Sequence, residues 1–321
     1  METRVKETLI EWAEEYNHPR YFQEDPIIFP TRFAREYENG KASLADVEIA
    51  ALLSAHLAWG RRAMIVRDCS RMFDEMCWKP YDYVMNGEYR NENASLHRTI
   101  KWSEFAAICG RMQKIYSEKG SLEGLTDNEI RTEIFGQKED LKAPNKKISM
   151  MRRWMVRDDG KVDLGLWKSS DKKKLILPLD VHVYDQATAL GLTSRRQKDI
   201  VTAREITDAF REIWPDDPCK GDFALFGYGV THQQSTESTK TTPKRAFEGS
   251  FPDQKHKTAP KRAFEVSFPN PKHKNSPKRA FEGSFPDRKH KNSPKRAFEG
   301  SFPNRKHKNS PKRAFVQTTK L

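Results

Sequence analysis

Lys146, in the run PNKKISMMRRWM, and Asp180, in the run LILPLDVHVYDQATALGL, are the residues whose types and setting most readily do chemistry. A lysine amine attacks an electrophilic carbon and forms a Schiff base. A nearby carboxylate stabilises positive charge that develops on the substrate and assists its deprotonation. The amine reacts only if some of it is unprotonated near neutral pH, which calls for burial or neighbouring cations. Lys146 is followed by Lys147, Arg152 and Arg153, and by Ile148, Met150 and Met151, so both influences are present within one short segment. Each residue also has a plain reading. An aspartate before a helix is most often an N-cap, and a lysine on a first helical turn is usually a surface charge, with Lys147 a rival for any role of Lys146.

The elements that would position this pair read as helices almost throughout residues 1–232. Ser43 and Asp46 form a capping box before Val47, Ile49, Ala50, Leu53, His56 and Leu57, a 3.6-residue stripe that stops at Gly60. A second helix is expected from about Arg61 to Trp78, ended by Pro80, and another near Trp102 to Tyr116. The lysine helix runs from about Lys146 to Val156 and stops at Asp158-Asp159-Gly160. Asp180 caps a helix with Val183, Ala187 and Leu190 inward and Gly191 at its end. Thr202 and Glu205 read as the capping box of the next helix, and Asp222–His232 as a buried closing helix. No period-2 pattern of useful length appears, so the fold class expected is all-α.

Three strings, in this order, resemble the helix-hairpin-helix base-excision DNA glycosylase superfamily, the group of endonuclease III and the 8-oxoguanine DNA glycosylases. IAALLSAHLAWGRRAM, from Ile49 to Met64, resembles the helix that the family writes as LLSAQ, followed by a second helix. Lys146-Lys147-Ile148-Ser149-Met150 resembles its catalytic-lysine segment. Leu179-Asp180-Val181-His182-Val183, followed by Leu190-Gly191-Leu192, resembles the signature around its catalytic aspartate. Residues 1 to about 232 as a whole also resemble an uncharacterised bacterial family of predicted relatives of these enzymes.

The resemblance implies a two-lobed helical glycosylase-like domain over residues 1–234, with DNA bound between the lobes. Lys146 would attack C1′ of the sugar and Asp180 would be the carboxylate. His56 would stand where the family places a glutamine that fills the gap left by a flipped base. Arg61, Arg62 and Lys147 would join His56 in binding DNA. Trp154, Trp167, Phe223 and Phe226 are candidates for the base pocket, and His182 could orient Asp180 from behind. The implied partner is double-stranded DNA containing a damaged base, possibly 8-oxoguanine, with AP-lyase activity through the lysine Schiff base. Two other readings stay open: a monofunctional glycosylase that uses Asp180 to activate water, and a non-catalytic DNA-binding protein with the same fold. The family's glycine-rich hairpin is replaced here by Asp140-Leu141-Lys142-Ala143-Pro144-Asn145. The separation of Lys146 from Asp180 along the chain is longer than in most members and closer to that of the archaeal 8-oxoguanine branch.

Composition divides the 321 residues in two. Residues 237–321 hold 22 Lys plus Arg against 7 Asp plus Glu, whereas residues 1–236 hold 36 against 38. The net charge of +13 therefore belongs to the tail, and the body is close to neutral. From Pro243 a 17-residue unit restarts at Pro260, Pro277, Pro294 and Pro311. Each full unit is basic and proline-bearing with two phenylalanines, and the last is truncated; this is too little apolar surface to offset the entropy of ordering, so residues 235–321 are expected to be a disordered repeat tail. Its Thr242-Pro243-Lys244-Arg245, Ser276-Pro277-Lys278-Arg279 and later copies are similar to the S-P-K-K units of linker-histone tails, which bind narrow minor grooves. A tail duplicated without a selected role is the alternative. Cys69, Cys77, Cys109 and Cys219 are scattered and read as free thiols; no metal site and no cofactor are expected. No apolar run is long enough to enter a membrane, and the expectation is a cytoplasmic, nucleoid-associated monomer.

Overall fold

A computed structural model describes residues 1–237, with side chains to Gly229. The repeat tail lies outside the described residues. Helices α1 (Thr3–Tyr16), α2 (Ile28–Glu38), α3 (Leu44–Leu57), α4 (Arg62–Glu75), α5 (Pro80–Asn86) and α6 (Trp102–Lys119) are followed by a short α7 (Asp127–Glu129) that continues into a π-helical turn, Ile130–Ile134. Then come α8 (Lys146–Val156), α9 (Val181–Ala189), α10 (Ile200–Arg211) and α11 (Lys220–Glu237). The described residues are thus mostly helical, as expected. The exception is a small antiparallel hairpin, β1 (Ser95–His97) and β2 (Ile100–Lys101), too short to show a period-2 pattern. Among the described residues no helix is long and apolar enough to cross a membrane.

Two helices act as hubs. α3 packs against α2, α4, α5 and α8, while α11 packs against α1, α9 and α10. Ser43 starts α3 through the expected box: its Oγ accepts from the Asp46 amide at 3.2 Å, and Asp46 Oδ2 accepts from the Ser43 amide at 2.8 Å. The stripe expected on α3 is too narrow, because neighbours surround the helix and every residue from Val47 to Leu57 is buried. At roughly 1.5–3 kcal/mol for each large apolar side chain fully buried, Ile49, Leu52, Leu53 and Leu57 make α3 a main anchor of the core.

The one carboxylate inside that anchor, Glu48, is fully satisfied. It accepts from the Tyr116 hydroxyl at 3.0 Å, Ser121 Oγ at 2.6 Å, the Leu122 amide at 3.1 Å and Trp167 Nε1 at 2.7 Å. Four donors offset the desolvation that a lone buried carboxylate would suffer. Close approach at the other hub needs glycine: a β-carbon on Gly227 would lie 2.2 Å from Tyr16 Cγ.

Two boundaries differ from expectation. Pro80 begins α5 rather than ending α4, since a proline at the first helical position forfeits no hydrogen bond. α10 is capped by Asp199, which accepts from the Thr202 amide at 2.9 Å. Thr202 itself is fully buried in the first turn, so the box read at Thr202 and Glu205 starts too late in the chain.

Candidate active site

A cavity of about 640 Å³ opens where five stretches of chain meet: residues 22–26, 58–65, 146–154, 178–182 and 222–226. Lys146 enters it from the first turn of α8 and Asp180 from the N-cap of α9. Lys146 Nζ lies 3.5 Å from Asp180 Oδ2, with the two side chains 31% and 14% exposed. The carboxylate divides its work. Oδ1 accepts from the Val183 amide at 2.9 Å and fixes the start of α9, leaving Oδ2 toward the lysine. The two therefore stand as an ion pair in a partly desolvated cleft.

Besides the exposed Glu24, two buried carboxyl groups, those of Asp25 and Asp222, line the same cavity. Burial pushes the Asp222 carboxyl up to about 6, opposed by the charge of Arg153 and helped by that of Asp180. One Asp222 oxygen accepts from Arg153 Nη1; the other, Oδ1, is buried without a protein partner. Asp25 is also raised by burial, against the Ile27 amide that it accepts from at 3.1 Å and the charges of Arg62, Arg153 and Lys146. Behind them Arg153 Nε donates to Asp163 at 3.2 Å, and Arg157 bridges Asp163 at 3.0 Å and Asp217 at 2.9 Å. This buried network locks the far end of α8 to the start of α11.

The other expected residues separate into two groups. Arg61, Arg62, Trp154, Phe226 and His182 all line the cavity. Arg62 lies 5.5 Å from the Phe226 ring centre, His182 stands edge-on to Phe226, and both Trp154 Nε1 and His182 Nδ1 are buried without a protein partner. His56, Lys147, Trp167 and Phe223 do not line it. The His56 ring is 7% exposed and stacks on Phe135 at 4.4 Å. Burial, with the charges of Lys147 and His97, lowers the His56 pKa to about 3, so the ring is neutral and directed into packed protein. Trp167 spends its indole N–H on Glu48, and Phe223 sits between the guanidinium groups of Arg153 (4.4 Å) and Arg157 (4.8 Å), both as core. Lys147 donates to the His56 carbonyl oxygen; burial and then Lys146 lower its pKa to about 8.

Asp25, Trp59 and Asp222 are site residues that the sequence reading passes over, and Arg153, read there only as a cation near Lys146, lines the cavity itself. Asp222 carries a signal, as the lone charge ahead of the apolar run FALFGYGV; Asp25 carries none. In place of a glycine hairpin, the chain before α8 makes a turn closed by the Ala143 amide on the Asp140 carbonyl oxygen at 3.2 Å. It then passes through Asn145 in left-handed conformation (φ +47°).

A family model described as "Protein of unknown function (DUF2400)" matches residues 25–140 and 128–231. No curated protein and no solved structure matches the chain. The matched segments together run from 25 to 231 and take in every stretch that lines the cavity beyond Phe22 and Glu24, and on this coverage the chain belongs to the DUF2400 family.

Proposed function

We propose that this protein is a DNA glycosylase with associated lyase activity, acting on a damaged base that is flipped into the cavity beside Lys146 and Asp180. The observation that carries the reading is the approach of Lys146 Nζ to 3.5 Å from Asp180 Oδ2, two residues of different helices brought together at the wall of one cavity. The division of the helices between two hubs supports a two-lobed, glycosylase-like arrangement with the cavity between them. In the proposed reaction Lys146 gives its proton to Asp180 and its lone pair attacks C1′. The C1′–N bond breaks and the departing base takes up a proton. The sugar ring then opens to a Schiff base, from which loss of a C2′ proton expels the 3′ phosphate. An oxidised purine such as 8-oxoguanine is the first substrate to test.

Borohydride trapping on duplexes that each carry one lesion tests this reading. A covalent adduct that disappears in Lys146→Gln supports the lyase. Base release without an adduct supports the second reading, a monofunctional glycosylase in which Asp180 activates water. Binding with neither base release nor adduct leaves a non-catalytic DNA-binding protein. The basic tail, residues 235–321, would serve in each case as a salt-sensitive tether to DNA.

A further inference from the structure

The mouth of the cavity carries an element that none of the readings above uses, the turn of the β1–β2 hairpin. Arg98 stands on that turn in left-handed conformation, φ +53°, which an arginine rarely adopts. Its carbonyl oxygen accepts from Ser95 Oγ at 2.8 Å, which closes the turn. The exposed guanidinium lies 4.2 Å over the ring of Trp59, a cavity-lining residue. It also lies so close to Gly60 that a β-carbon there would be 2.6 Å from its Nη1. Gly60 at φ +109° is required by its backbone, and the arginine occupies the space that its missing side chain leaves.

The hairpin is tied to this position by buried polar bonds. His97, fully buried, meets the Asp68 carboxylate through Nδ1 at 2.8 Å and donates from Nε2 to the carbonyl of Trp59 at 2.9 Å. Asp68 also accepts from Arg67 at 2.8 Å, and Arg71 donates to the Leu96 carbonyl at 3.2 Å. A buried aspartate–histidine link and two arginines of α4 thus fix a short hairpin whose outward product is one exposed cation. Among the described residues the Arg98 guanidinium meets no carboxylate, in contrast to Arg67 and Arg71 of α4, which both pair with Asp68. An exposed guanidinium stacked on Trp59, unneutralised and beside a cavity, is matched to a phosphodiester, whose two free oxygens its planar fork can take together.

We propose that the β1–β2 turn is a second DNA-contacting arm and that Arg98 grips a backbone phosphate of the strand entering the cavity, with Trp59 as its backing. This rests on the reading of the ligand as DNA, though not on the lysine chemistry. The arm stands beside Arg61, exposed in extended backbone at the start of α4, so the two cations flank the Trp59–Gly60 rim.

The test uses the full chain and a short fluorescent duplex with a single tetrahydrofuran abasic site, followed by anisotropy across a salt series. Arg98→Gln should bind roughly tenfold more weakly at low salt, with a log–log salt slope shallower by about one. Arg98→Lys, which keeps the charge but not the planar fork, should restore the salt slope and recover only part of the lost affinity. Arg4→Gln removes the same charge from exposed α1 and should change neither quantity by a comparable amount. Thermal melts of all variants should coincide within a few degrees, since Arg98 is exposed. Equal affinity and slope for Arg98→Gln and Arg4→Gln would overturn the proposal, and so would a wild-type chain that does not bind the duplex. Absence of a borohydride adduct with the Arg98 effect intact would remove the lyase reading and leave the arm in place.

Discussion

Lys146 and Lys147 are neighbours in sequence whose amines part company: the first reaches the Asp180 carboxylate at the cavity wall, and the second donates to the carbonyl oxygen of His56 away from it. If adjacent position were enough, either could trap a sugar aldehyde. The borohydride adduct should therefore vanish in Lys146→Gln and persist in Lys147→Gln, read as a shifted band on a denaturing gel. An adduct lost only in Lys147→Gln would reassign the nucleophile.

Asp180 caps α9 and, in the proposed reaction, takes the proton of Lys146, and two substitutions separate these roles. Asn is as good an N-cap as Asp, so Asp180→Asn should keep stability within about 0.5 kcal/mol while lowering base release and trapping by about 100- to 10,000-fold. Asp180→Ala should lose the activity and also about 1 kcal/mol of stability, measured by urea unfolding. Retained activity in Asp180→Asn would leave Asp180 as a cap alone.

Asp222 gives the stability a pH dependence of known sign. Its folded pKa, about 6, lies above the ordinary value of 3.8, so the folded state holds the proton more tightly than the unfolded one. The stabilisation that this provides is present below about pH 4 and is lost as pH rises through about 6. Asp222→Asn cannot ionise and should gain on the wild type across that window, by at most roughly 3 kcal/mol from a shift of this size. A wild-type minus mutant difference in Tm that is flat from pH 4 to 7 would refute the assignment.

Glu48 should be among the most sensitive positions of the core. Glu48→Ala removes an acceptor from four buried donors and leaves a cavity, and should cost on the order of 3–5 kcal/mol in chemical denaturation. Glu48→Gln, which keeps the shape but turns one acceptor into a donor facing donors, should cost less, roughly 1–3 kcal/mol.

Removal of residues 237–321 tests the tail. Binding of undamaged duplex at low salt should weaken and its salt slope become shallower, while single-turnover base release on bound substrate stays unchanged. Unchanged affinity at low salt would sink the tether.

What the sequence disclosed follows the range of the interactions involved. The box at Ser43 and Asp46, the limits of α8 and the cap at Asp180 depend on residues close to one another in the chain, and all three are where local chemistry puts them. The meeting of Lys146 with Asp180 follows from sequence only through the order of three strings, since a long stretch of unspecified path separates them. His56 is read by its string position, yet its burial depends on Phe135, far along the chain, which no local pattern couples to it. Asp25 and Arg98 are invisible for the same reason, and Asp222 nearly so. Their settings are made by packing between distant stretches, and that of Arg98 by a hairpin too short to announce itself.

The cavity takes walls from stretches as far apart as Phe22 and Phe226. A chain that has been made past Asp180 but not yet to Asp222 has Lys146 and Asp180 and lacks the wall that α11 supplies. The cavity wall is thus completed only when α11 docks on α1, so its two ends of chain must both be in place before the pocket exists.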